Sequence, residues 1–211
     1  PIVGPILAEI VGSIIPNQRL DRVATFLEDL ERRLTSVEIK VFRENSLAVD
    51  LFEDAVIVAS RSLTEIRNKY IVTFMKSSVS TDAGDYDVKK KLLYILQDLT
   101  DRDIEILRSI QIRGHQVTES ENYIDALTEA SFRKLTEQEK TDYYAKQEIW
   151  PLHILTLERS GLLKAHREEQ DLDNTHHHID VETGLPRISF YETSKLGDVF
   201  IALIFEVDDH I

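Results

Sequence analysis

The chain has 211 residues, 42% of them hydrophobic and 30% charged, with a formal net charge of −13 and no cysteine. These are the proportions of an ordinary soluble globular protein with room for one sizeable core or two modest ones. Without cysteine there is no disulfide framework, no thiolate zinc site and no thiol catalysis, which is compatible with a reducing cytoplasm.

The charge is unevenly spread. Residues 1–78 hold 10 Lys/Arg against 11 Asp/Glu, residues 79–148 hold 10 against 15, and residues 149–211 hold 5 against 12. The last third therefore repels phosphate backbones and gains little from counterion release, which argues against duplex DNA as a partner.

In chain order, Pro1–Ile15 carries one charge, Glu9. As a helix this segment would span about 22 Å, short of the roughly 30 Å hydrocarbon core of a membrane. Gly4, Ala8 and Gly12 recur every four residues and would line one helix face with small side chains, which favours close helix approach. A buried N-terminal helix is expected, with membrane contact by this apolar segment as the alternative. No basic stretch precedes the apolar start, so a standard signal peptide is not expected. Because the chain starts at Pro1 without Met, either the initiator was removed or the natural protein extends upstream. The expected location is the cytoplasm, with membrane association if there is such an extension. A catalytic role for the Pro1 amine would need an N-terminal strand, against which Gly4, Pro5 and Gly12 argue.

Asn17 is the expected cap of the next helix, in which Leu20, Val23, Leu27, Leu30 and Leu34 form a 3-4-3-4 apolar seam. Together with the small-residue stripe this seam is the expected surface for a protein partner or a homo-oligomer. A long helical region from about Leu47 to Val79 follows, with Leu51, Phe52, Ala55, Val56 and Ala59 inward. Ser62 and Glu65 are expected to form a capping box before Ile66, Tyr70 and Phe74. The polar stretch 80–87, with Gly84, reads as a linker between an N-terminal helical domain at 1–79 and a second domain at 88–211.

In the second domain Leu92, Leu93 and Leu96 mark one helix. Thr100 and Asp103 open another with Ile104, Leu107 and Ile110 inward, ending near Gly114. Residues 119–130 read as a weaker helix. Thr136 and Glu139 make a capping box for a helix to about Glu148, and Pro151 suits a new first turn or a kink in a longer helix. Ile154, Leu155, Leu157 and Leu162 are expected to be apolar core around the Gly161 stop. Leu162–His166 and Ile188–Tyr191 are the expected strands, and Ser194 the cap of a last, largely apolar helix.

The order helix, hairpin, helix, carried by Leu157–Leu163 and Tyr191–Gly197, is the back half of a winged helix. With Leu99–Leu107 it resembles winged-helix domains of the multiple-antibiotic-resistance regulator type over about residues 100–205. The fold class expected is thus mainly α: an N-terminal helical domain, then a winged-helix-like α+β domain with a two-stranded wing. The resemblance implies DNA reading, but this chain lacks the basic wing of the members that do it. Around the candidate recognition helix Lys146, Gln147, His153 and Arg159 are offset by Asp142, Glu148 and Glu158, and Lys164, Arg167 and Arg187 on the wing are outnumbered by acids. The layout as a whole is similar to the abortive-infection alpha-type family of bacterial proteins, in its apolar Gly-containing start, the Ser62–Phe74 helix, the Leu92–Leu107 helix pair and the closing Thr193–Phe200. That resemblance implies a role in phage defence without an assigned active site.

His176, His178, Asp180 and Glu182 would share a face of an extended strand, an imidazole–carboxylate set suited to zinc or another first-row metal. The competing reading is a solvated wing tip near Asp171, Asp173 and Gly184, and no metal site is expected. No nucleotide-binding or hydrolase motif is present, so no catalytic, cofactor or metal residues are assigned. The function expected is a non-catalytic interaction or regulatory protein. The runner-up is a DNA-binding transcription regulator, and the third reading is a metal-dependent activity at the His-rich wing.

Overall fold

The computed structural model describes residues 15–80, 85–112, 136–167 and 188–205. It is mainly α-helical among these residues, with a small two-stranded antiparallel sheet late in the chain. Its contacts group residues 1–98 with 201–211 in one unit and residues 99–200 in another.

In the first unit, α1 (Ile15–Arg33) has Pro16 in its first turn, where no intrahelical N–H is required. It therefore starts before Asn17, which lies inside the helix rather than capping it. Thr35 and Glu38 form a reciprocal box, Thr35 N to Glu38 Oε2 at 2.7 Å and Glu38 N to Thr35 Oγ1 at 3.3 Å. This box opens α2 (Ser36–Glu44), a helix that apolar periodicity did not suggest. Asn45 then caps α3 (Ser46–Arg61), its Oδ1 accepting from Leu47 N at 2.9 Å. The long helix expected over 47–79 is two helices. Ser62 ends α3, its N–H reaching Ala59 O at 3.0 Å. Thr64 rather than Ser62 serves α4 (Glu65–Ser80), its Oγ1 accepting from Arg67 N at 3.1 Å.

Helix α4 is the centre of this unit. Ile71, Val72, Phe74 and Met75 are all fully buried, so more than one of its faces is covered, and α1, α2, α3 and α5 pack on it. Helix α5 (Tyr86–Asp98) buries Leu92, Leu93, Ile95 and Leu96. These residues join α5 to α3 and α4, so the units divide after Asp98 rather than at the polar stretch 80–87. Residues 81–84 of that stretch lie outside the described residues. The chain returns to the first unit at Ile201, near the end of α8 (Lys195–Ile204), where Phe205 meets Tyr70 edge to face at 5.3 Å.

The second unit begins at the Thr100–Asp103 cap, with Thr100 N to Asp103 Oδ2 at 2.6 Å. Its helix α6 (Asp101–Ile112) buries Ile104, Ile106, Leu107 and Ile110. The expected Gly114 stop and the helix at 119–130 lie outside the described residues. The Thr136–Glu139 box opens α7 (Glu137–Arg159), a single helix with Pro151 inside it, which decides for the longer of the two expected helices. Trp150, Ile154 and Leu157 form its buried face, and Leu155 lies outside that face.

The end of α7 is set by backbone chemistry. Gly161 takes φ +76°, Gly161 N bonds Glu158 O and Leu162 N bonds Leu157 O, both at 2.9 Å. This is the left-handed glycine stop in which two terminal carbonyls are satisfied. Strand β1 (Leu163–Arg167) leaves at once and pairs antiparallel with β2 (Ile188–Thr193). The register runs from Leu163 opposite Thr193 to His166 opposite Phe190, with an irregularity before Arg167. Ser194 closes the circuit: its N–H bonds Leu162 O at 2.9 Å, its hydroxyl donates to Gly161 O at 2.6 Å and accepts from Gly197 N at 3.0 Å. The two sequence motifs that framed the hairpin thus meet in space. Gly197 is required there, because a Cβ on it would stand 2.3 Å from Leu162 O.

Candidate functional site

The N-terminal seam does not act as one surface. Helix α1 turns Phe26 and Leu30 into the core, while Leu20 is 67% and Leu27 40% exposed. The buried stripe runs through Phe26, outside the expected 3-4-3-4 set, and α1 packs on both α3 and α4. The outward leucines are not isolated. Leu27 and Leu30 of α1, Leu34 just past its end, Ile39 and Phe42 of α2, and Val49 and Phe52 of α3 line a groove of about 480 Å³, with Glu31 the one charged lining residue among the described residues. Phe52 lies between the rings of Phe26, at 6.2 Å, and Phe42, at 5.9 Å. The α2 wall was not foreseen, although Thr35-Ser36-Val37-Glu38 carries the capping pattern that announces it. The Gly4, Ala8 and Gly12 stripe lies outside the described residues.

Between α3 and α5, Lys90 Nζ lies 2.5 Å from Asp50 and 3.0 Å from Asp54. Tyr86 bonds Asp50, and Tyr94 donates to Asp54 at 3.0 Å. Hydrogen bonds to Asp50 and then Asp54 hold the Lys90 ammonium well above its usual range, and the bond to Asp54 raises the Tyr94 phenol. One ammonium and two phenols are thus shared between two carboxylates, and the cluster ties the two helices together.

In the second unit Asp103 is almost completely buried, accepting from Thr100 on one oxygen and facing His153 Nδ1 at 2.7 Å on the other. His153, a candidate DNA contact, is therefore engaged in joining α7 to α6. Lys164, another candidate, lies 3.9 Å from Glu192, which also takes His166 at 2.5 Å, and His166 stacks on Phe190 at 4.4 Å. Arg159 is exposed at the C-terminal end of α7. The side chains of Lys146 and Gln147, and Arg187, lie outside the described residues. What α7 does present, at three-residue steps opposite its buried face, is Ile149, Leu152 (60% exposed) and Leu155.

The wing residues His176, His178, Asp180 and Glu182 lie outside the described residues. Among the described residues no group of three or more His, Asp or Glu is placed to hold a metal ion, and no helix is long and apolar enough to cross a membrane. Comparison with protein-family models, with curated proteins and with solved structures finds no match to this chain.

Proposed function

We propose that this chain is a non-catalytic interaction or regulatory protein, built from a helical unit and a winged-helix-like unit, whose apolar helix faces receive a protein partner or a second copy. The observation that carries this reading is the exposed face of α7. In a winged-helix DNA reader that helix enters the major groove with basic and polar side chains. Here Ile149, Leu152 and Leu155 occupy the outward face, and His153 is turned to Asp103. An exposed apolar stripe of this kind marks a contact surface. A phage-defence setting rests on the pattern resemblance to abortive-infection alpha-type proteins.

A photo-crosslinking residue at Leu152, introduced in the full chain in its native cells, is expected to give discrete protein adducts that vanish when the probe is moved to Glu105. The runner-up, a DNA-binding transcription regulator, draws on the helix–hairpin–helix order of α7, β1, β2 and α8. Sub-micromolar binding of duplex DNA at physiological salt, with a steep inverse salt dependence and no protein adduct, would replace the first reading by the second.

A further inference from the structure

The groove between α1, α2 and α3 has a chemistry that specifies more than apolarity. Glu31 lines the groove four residues after Leu27, and Glu28, three residues before it, is its neighbour on the surface of α1. Glu53 stands four residues after Val49 on α3 and so flanks the residues of that helix that line the groove. All three glutamates are exposed, and no hydrogen bond or ion pair engages them among the described residues. Of the basic side chains nearby, Arg32 pairs with Asp29 and Lys40 lies 3.9 Å from Glu44, while the side chain of Arg43 on α2 lies outside the described residues. An apolar floor flanked by acidic side chains is the complement of a helix that is apolar on one face and basic on its flanks.

We propose that this groove binds the apolar face of a basic amphipathic helix from another protein. The inference rests on the interaction reading above and names the partner chemistry at one surface. A second copy fits less well, since pairing groove to groove would set its own Glu31 against the same acidic residues. The chain's own first fourteen residues carry Glu9 as their one charge and no Lys or Arg, so they offer the glutamates no counter-charge.

The test is fluorescence anisotropy on the full chain with a dye-labelled Leu/Lys peptide of about 14 residues, about 21 Å as a helix, and a twin with Glu in place of Lys. The Leu/Lys peptide is expected to bind at least about tenfold more tightly than the Leu/Glu twin at physiological salt, a difference of about 1.4 kcal/mol. Leu27→Asp should abolish the binding. Joint Glu28→Lys, Glu31→Lys and Glu53→Lys should reverse the preference, and Glu148→Lys, in the second unit, should leave it unchanged. Glu31→Gln alone, which introduces no new charge, should weaken the Leu/Lys peptide and so serves as the check should the triple variant lose its melting transition. Equal affinity for the two peptides, or an unaltered preference in the triple variant, would overturn the proposal. So would a dimer in sedimentation that Leu27→Asp dissociates and the Leu/Lys peptide does not, which names a second copy as occupant and leaves the interaction reading standing. Binding that appears only after residues 1–14 are removed overturns it too, and names that segment as the occupant.

Discussion

The two units hold their shapes by different means. In the first, α4 is enclosed by apolar volume: Ile71, Val72, Phe74 and Met75 are fully buried, and four helices pack around them. In the second, the helix–hairpin–helix junction is held by positional requirements of the backbone. Gly161 must take a positive φ, Gly197 must lack a Cβ, and Ser194 must bond in three directions. Volume can be supplied by many combinations of apolar residues, and it left a groove where α1, α2 and α3 do not close over one another. Backbone geometry admits few residues, so the junction is narrowly specified.

The largest effect that sharpens this contrast is expected from Phe74→Ala. It should cost about 3–5 kcal/mol by leaving a cavity in the centre of the first unit, read as a lower urea midpoint of the far-UV signal. The single tryptophan, Trp150, is buried in the second unit and reports on that unit's unfolding. A Trp150 transition displaced as far as the far-UV transition would break the comparison.

Gly197→Ala comes next, at about 2–3 kcal/mol, since one added methyl has to displace the Leu162 carbonyl rather than a flexible side chain. Here the Trp150 transition should move. A variant as stable as the parent would show that the junction tolerates volume after all.

The smallest effect concerns the α7 cap. Hydrogen bonds from the Thr136 backbone, and then from its hydroxyl, hold the Glu139 carboxyl below its ordinary value of 4.5. A carboxylate so depressed stabilises the folded helix end above that ordinary value, and the contribution is lost as pH falls through the lowered one. Carboxyl titration followed by NMR should place Glu139 below 4.5 in the parent and return it toward 4.5 in Thr136→Ala. An unchanged midpoint would mean that the box contributes nothing to the start of α7.

Features legible in the sequence are those whose partners lie within a few residues. The Thr100–Asp103 and Thr136–Glu139 caps, the Gly161 stop, the Ser194 cap and the two strands all occur where local pattern puts them. Where a pattern admitted two registers, it misled. Ser62 and Thr64 are both hydroxyl residues ahead of an acidic first turn, and the chain uses Thr64. Likewise Leu27 and Phe26 are both apolar neighbours on α1, and the deeper burial falls to Phe26.

What the sequence by itself determined is therefore the local grammar: mainly helical, a late antiparallel hairpin set between a glycine stop and a serine cap, and an acidic surface. Only the tertiary structure decided that α5 belongs with the first unit, that Asp103 meets His153, that Lys90 is shared by two aspartates, and that seven apolar side chains from residues 27–52 open onto a common groove. The reason is physical. Caps and stops are hydrogen bonds within one turn, fixed by residue type and spacing, whereas the side that a helix buries depends on neighbours tens of residues away, and apolar residues suit any of them.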